Sequence, residues 1–375
     1  VIIFRYLIKE VLASLVAVTL VLLLIFLSNQ LVRYLSYAAA GKISSSIVIQ
    51  LMGFEIPYLL ALLLPLGLYL GIILTYSRLY ADNELPVMQA CGVGQRRLIG
   101  ITCWVAAAVA IVVLMLMLFV NPNIAHKKDK GLSQNTILDT LRPGRFQVLS
   151  NGRRVVYLEK ISRDRQQANN LFVAEEEKKK GDDNAASPTS WVVVSAAKGY
   201  QQKEPVTNDN FIVSSEGSRY EGTPGQNDYK IINFQKYAVR VPVPTLVPGA
   251  PLEAVPSHKL WHDYDNAASA AELQWRLSMP LSALVLMLLA IPFSRVAPRK
   301  GRYTNLLPAI LLYVVYVNLL FVARNWVDIK MVPIAIGMWW VHILMLGLAL
   351  LLLFSQQRQR FLRLRRITAL GSKPA

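Results

Sequence analysis

The sequence predicts an α-helical membrane protein with an inserted all-β domain: six transmembrane helices, three on either side of a polar insert. Three observations carry that prediction. Of 375 residues, 54% are hydrophobic and only 17% charged, with a mean hydropathy of +0.38, whereas soluble proteins carry about a quarter charged residues. The apolar residues gather into six stretches. Between the third and fourth lies a long polar segment with the alternation of short β-strands.

The first stretch covers residues 11–27 and continues weakly to 32, after Arg5 and Lys9. Ala38-Ala39-Ala40 imitates a cleavage site, but signal peptides have apolar cores of only about 7–15 residues. A bilayer crossing needs about 20, so the stretch is expected to be a retained helix. The second stretch, 54–76, contains Pro57, Pro65, Gly67 and Gly71. Neighbouring helices repair the hydrogen bonds that proline removes in a membrane. Gly67 and Gly71, four apart, let another helix approach closely, either within the bundle or across a dimer. The others are 98–120, 277–293, 306–322 and 332–354.

Six spans put both termini on one side, and charge selects the side. One set of short connections and tails contains Arg5, Lys9, Arg78, Arg96, Arg97, Arg295, Arg299, Lys300, Arg302, Arg358, Arg360, Arg363, Arg365, Arg366 and Lys373; the other contains Arg33, Lys42, Arg324 and Lys330. By the positive-inside rule the termini are cytoplasmic and the insert lies outside the cytoplasm. The formal charge of +17 therefore reads as topology and not as nucleic-acid binding, because acids and bases nearly balance between residues 122 and 272.

Within the insert, β-branched or alternating runs recur at 145–149, 154–159, 171–174, 191–195, 211–214 and 229–240. Turn signals separate them at Asn151-Gly152, Gly181-Asp182-Asp183, Gly217-Ser218, Gly222 and Pro224-Gly225. This pattern suits a sandwich, jelly roll or open barrel. Prolines 242, 244, 248, 251 and 256 give an extended linker, and 266–276 reads as a helical lead-in to the fourth span. The expected domains are 1–121 (spans one to three), 122–270 (the β domain) and 271–375 (spans four to six and a basic tail).

Few residues point to catalysis. No GxxxxGK[ST] phosphate loop occurs, Gly92-Val93-Gly94 lacks a third glycine, and His258 and His262 have no HExxH context. Asp263 and Asp265 lack a partner for acid–base work. Cys91 and Cys103, the two cysteines, fall in or beside apolar segments and suggest neither a disulfide framework nor a zinc site.

The most informative short segment is LYADNELPVMQACG, residues 79–92, between spans two and three. Asp82 or Asn83 can cap a short helix, Glu84 suits its positive N-terminal end and Gly92 can stop it. Such a helix would present Val87, Met88 and Cys91 along the membrane face. It is either an interfacial connector or a peg that docks on a soluble motor protein. Near the outer span ends, Arg33, Lys42, Arg276 and Arg324 either snorkel to headgroups or face a cavity and pair with an anionic lipid's phosphates.

LYADNELPVMQACG, SRYEGTPGQNDYKIINFQKY, ELQWRLSMPL, VAPRKGR and LPAILLYVVY stand in order from the second span to the fifth. With them the sequence resembles the LptF/LptG permease family of the lipopolysaccharide-export ABC transporter, on the LptF side. The resemblance implies a periplasmic β-jelly roll and an inner-membrane location in a Gram-negative bacterium. It also implies pairing with LptG above an LptB dimer that binds ATP and Mg, with no cofactor in this chain. Spans one and five would form lateral gates, and lipid would pass to LptC and then LptA. The ATPase-coupling segment would comprise Glu84, Val87, Met88, Ala90, Cys91 and Gly92, with Glu84 at the family's acidic position, and Arg33 would match a basic residue that contacts lipid phosphates. Pro86 departs from the pattern, so this helix is expected to start later or to kink.

Lipid would then cross an apolar interior lined by Phe146, Val148, Val156, Leu158, Phe172, Val192, Val194, Phe211 and Val213. These residues would equally suit an ordinary β core. An LptG-type subunit, or a permease for another lipid or lipoprotein, is the nearest alternative. A receptor with a periplasmic sensor would need an output domain that the short basic tail does not supply. A membrane transferase would need an acidic or histidine constellation that the sequence lacks.

Overall fold

The computed structural model describes residues 2–39, 43, 47–134, 143–149, 154–162, 167–177, 190–203, 210–223, 229–240, 250–295 and 303–371. Lys42, the turn signals at 151–152, 181–183 and 224–225, and the prolines at 242–248 lie outside them. The chain forms two compact units, Val1–Asn29 with Met52–Lys127 and Gly249–Ala375, and Gln30–Leu51 with Lys128–Pro248.

The helices are α1 (Ile2–Ala39), α2 (Val48–Ala81), α3 (Glu84–Ala90), α4 (Gln95–Met115), α5 (Asn121–Gln134), α6 (Ala250–Glu253), α7 (Ser257–His262), α8 (Ala267–Phe293), α9 (Leu306–Asp328) and α10 (Trp339–Gly371). Ile2–Ala39, Val48–Ala81, Gln95–Lys128, Ala267–Phe293 and Leu306–Asp328 are long and apolar enough to cross a membrane. A shorter apolar helix, Trp339–Ser355, falls in the sixth predicted stretch. This is a membrane protein.

α8 is the axis of its unit. It packs against α4, α9 and α10 and is buried on nearly every side. Asn266 caps it, its side chain accepting from the Ala268 N–H at 3.1 Å, as the predicted lead-in requires. α2 is also mostly buried, whereas α1 and α9 leave broad apolar faces uncovered. Gly67 and Gly71 are packing glycines within the bundle: a Cβ on Gly67 would strike Thr19 Oγ1, and one on Gly71 would lie 2.9 Å from Leu15 N. The two helices pack backbone to backbone there.

Between α4 and α5 the chain makes a π turn, Leu116–Val120, and the helical course continues past Pro122 to Gln134. Proline has no N–H for the preceding turn. Two side chains compensate, Ser257 Oγ donating to the Leu118 carbonyl at 2.9 Å and Asn123 Nδ2 to that of Phe119 at 2.9 Å. The sixth helix starts later than its apolar composition suggests. Residues 332–338 instead form a turn, with Gly337 at φ 48°.

The second unit holds one antiparallel sheet of six strands: β1 (Gln147–Leu149), β2 (Arg154–Ile161), β3 (Gln167–Glu177), β4 (Ser190–Lys203), β5 (Asn210–Gly222) and β6 (Tyr229–Arg240). All six predicted runs are strands, most of them longer than the runs themselves. Each strand pairs with the next in sequence. The described pairings are therefore a meander, without the crossover that would make them a jelly roll.

The regular pairing skips one row, Glu159, Asn170, Ala197, Glu216 and Gln235, across five strands. Asn170 and Glu216 in that row have φ of 51° and 56°. Inward-facing positions change parity across it. On one side Val156, Leu158, Leu171, Val173, Val194 and Ala196 are buried; on the other, Ala168, Gly199 and Ser214 are. The row is thus a crease. Gly217, expected in a turn, lies inside β5 beside the crease, where a Cβ would meet the Ser195 carbonyl, the Phe234 ring and Ala196 Cα. Close strand approach, not a turn, requires that glycine.

Candidate functional site: the α3 connector and the Arg276 cluster

α3 begins at Glu84, so Pro86 sits in its first turn, where a missing N–H costs nothing. The later start expected from proline does not occur. The cap differs from expectation too: Asn83 holds the N-cap position at φ 60° without a side-chain cap bond. The other end closes as a Schellman turn, with Gly92 at φ 91°, Gly92 N–H donating to Gln89 O at 3.2 Å and Val93 N–H to Met88 O at 3.0 Å.

Two faces result. Leu85 and Val93 are buried. Pro86, Val87, Ala90, Cys91 and Gly92 are exposed, and Met88 is half-buried. Glu84 faces inward: Tyr6 Oη donates to its Oε2 at 2.8 Å. Beside this pair Arg78 Nη2 donates to Glu10 Oε2 at 2.7 Å. The sequence reading missed Tyr6, Glu10 and Arg78 as parts of the site, because their only signal is charge and hydroxyl placement on helices distant in sequence.

The four basic residues considered for lipid contact separate. Arg33 is exposed and bonded to Gln30 at 2.7 Å. Arg276 is 2% exposed and fully engaged. It donates to Glu272 Oε1 (2.9 Å), the Val255 carbonyl (3.0 Å), Ser257 Oγ (2.8 Å), and the Leu252 and Glu253 carbonyls (both 3.1 Å). Arg324 donates to the other carboxylate oxygen of Glu272 at 2.7 Å and lies over the Trp275 ring at 5.0 Å. A buried carboxylate flanked by two guanidiniums is compensated, and Arg276 is left with no free donor for a ligand.

The same short motif anchors the turn before α10. Gln274 Nε2 donates to Tyr264 Oη (2.9 Å) and the Ile334 carbonyl (2.8 Å), and its Oε1 accepts from Met338 N–H at 3.0 Å. Gly337 is packed against that amide, with no room for a Cβ. Glu272, Gln274 and Arg276 of ELQWR thus each have structural partners.

In the β unit the nine residues expected to line an interior divide between faces. Val156, Leu158 and Val194 belong to one buried cluster with Ala168, Leu171 and Val173, and Val192 packs against it. The Phe146 ring packs against Tyr157 (4.7 Å) and edge-on to Phe172 (6.1 Å) on the opposite face, where the register pairs Tyr157 with Phe172. Val148 is exposed, Phe211 half-buried and Val213 buried outside the cluster. The crease reverses parity and each strand carries apolar residues on both faces, so simple alternation does not assign these nine to one face.

Fold and site together define a polytopic membrane protein with an inserted β unit and a short, half-exposed helix slung between its second and third long helices. Sequence comparison makes this specific. The chain belongs to the family described as lipopolysaccharide export system permease LptF/LptG, which it matches over residues 5–355. It is similar to the lipopolysaccharide export system permease proteins LptF of Escherichia coli K12, Escherichia coli O157:H7 and Shigella flexneri. Each is 32% identical over 357 residues, covering 94% of both chains.

Proposed function

We propose that this chain is the LptF-side permease of a lipopolysaccharide exporter, with six spans arranged three and three in the inner membrane. Its termini face the cytoplasm and its β unit the periplasm. The supporting observation is α3, which holds Leu85 inside and offers Val87, Ala90 and Cys91 outward at the end rich in basic residues. That is the shape of a peg for a soluble ATPase. The partner ATPase, LptB, binds ATP and Mg, and this chain supplies transmission.

The chain pairs with LptG, and the uncovered apolar faces of α1 and α9 suit lateral gates through which lipid enters. Arg33, exposed and bonded among the described residues to Gln30, suits a lipid phosphate; Lys42 retains that assignment from sequence. Arg276 serves the juncture instead, and Arg324 divides its surface between Glu272, Trp275 and solvent. Lipid acyl chains then follow the inner face of the β unit towards LptC and LptA. The working domains are 1–121, 122–270 and 271–375.

Reconstitution tests this reading. The chain, coexpressed with LptG and LptB, should copurify as one complex and release lipopolysaccharide from proteoliposomes to LptC and LptA only with ATP. A complex that assembles and hydrolyses ATP yet releases a lipoprotein instead would favour the alternative permease.

A further inference from the structure

α1 is most deeply buried in the helical unit along its first half. Leu7, Val11, Leu15 and Thr19 are buried, whereas Val16, Leu20, Val21, Leu24, Ile25 and Phe26 are exposed. The closest approach is the backbone of Leu15 against Gly71. Thr75 adds hydroxyl bonds to Ser14 Oγ at 2.7 Å and to the Glu10 carbonyl at 3.3 Å. At 1.5 Å per residue, Tyr6 lies about 13 Å below that contact along the helix, and Phe26 about 16 Å above it. α1 thus has a polar foot and a fixed middle, then an exposed stretch through Phe26, before its end is buried again at Tyr34 and Ala38.

The foot is held by α3. Tyr6 bonds Glu84, and Glu84 opens a helix suspended between two residues of positive φ, Asn83 and Gly92, which are natural pivots. A phenol is a neutral donor. A guanidinium or ammonium presented to Glu84 would add an opposite charge to the hydrogen bond and compete with the phenol for the carboxylate oxygens. Glu10 does not compete, because Arg78 occupies it.

We propose that Tyr6 is a positioning residue for transport: its bond to Glu84 is a latch by which α3 sets the angle of α1. The latch is closed as seen here and opens when the docked ATPase draws Glu84 to a basic group of its own. This rests on the reading of α3 as the docking peg. It gives α3 a direct route to α1 that does not pass along α2.

The test uses the full complex with its partner permease and ATPase in nanodiscs, with a fluorinated phenylalanine at position 26 read by 19F NMR. The wild type should show one resonance without nucleotide and a second after trapping with ATP and vanadate. Tyr6→Phe should retain the ATPase, show the second resonance without nucleotide, and release severalfold less lipid per ATP. Glu84→Gln keeps an acceptor for Tyr6. It should hold the nucleotide-free resonance and blunt the shift on trapping, and showing the open resonance without nucleotide would overturn the latch. So would a Tyr6→Phe spectrum and lipid-to-ATP ratio equal to wild type. If wild type does not retain the ATPase, the docking reading fails first and the latch with it.

Discussion

Ser257 Oγ stands 2.9 Å from the carbonyl oxygen of Leu118, to which it donates, and accepts from Arg276 Nη1 at 2.8 Å. One hydroxyl therefore joins the π turn before Pro122 to the buried cluster on α8. The chain returning from the β insert is fixed to the helical unit at this point.

Ser257→Ala removes that link and leaves a guanidinium N–H and a carbonyl without this partner. It should cost about 1–3 kcal/mol, read as a lowered Tm of the purified complex. Arg276→Met leaves Glu272 half-compensated and frees three backbone carbonyls; breaking a buried pair costs about 3–5 kcal/mol, so little folded protein is expected. Arg276→Lys should not rescue it, because an ammonium cannot reach partners spread around a planar fork. Arg276→Lys with wild-type Tm would refute the structural role.

Gly71→Val should destabilise by at least about 1–3 kcal/mol, because its side chain must displace the backbone of α1 at Leu15. Gly53→Ala is the control: open space surrounds Gly53, and helix propensity favours alanine by about 0.5–1 kcal/mol. Thermal scans of both variants in one detergent should move in opposite directions.

On α3, Val87→Asp should leave the fold intact and abolish retention of the ATPase on a column, since Val87 is 59% exposed. Leu85→Asp buries a carboxylate without a partner and should unfold the local structure instead. Equal ATPase retention by Val87→Asp and wild type would remove α3 from the docking surface.

The helices were legible because apolar runs of spanning length have few alternative explanations, and the strands because β-branched runs lie between turn residues. Segment 79–92 announced a helix end through Gly92. What stayed hidden depended on tertiary approach. Gly217 reads as a turn residue until Ser195 and Phe234 are seen against it, and Gly337 reads as a flexible loop until Gln274 fills its side. ELQWR stood out only by resemblance, since nothing in its spacing says that Arg276 binds the carbonyls of residues 252, 253 and 255. Arg276 and Arg324 looked alike in sequence. They differ because α6 and α7 fold over one and leave the other half-open.

Glu216 holds φ 56° on the sheet crease, a conformation that costs non-glycine residues about 1–2 kcal/mol. Glu216→Gly should therefore stabilise the protein, or at worst be neutral, in denaturant melts followed by β-sheet circular dichroism. Glu216→Val should lose about 1 kcal/mol or more, because β-branching is poorly tolerated there.

The central claim is that ATP used by a partner drives lipid onto the inner face of the β unit. Photocrosslinking measures it most directly, with a photoreactive residue at Leu171 on the inner face or at Phe146 on the outer one, in the reconstituted complex. The account predicts lipopolysaccharide adducts at 171 that require ATP and vanish with Val87→Asp, and few at 146. Equal adducts at both positions, or adducts at 171 that are indifferent to ATP, would contradict it.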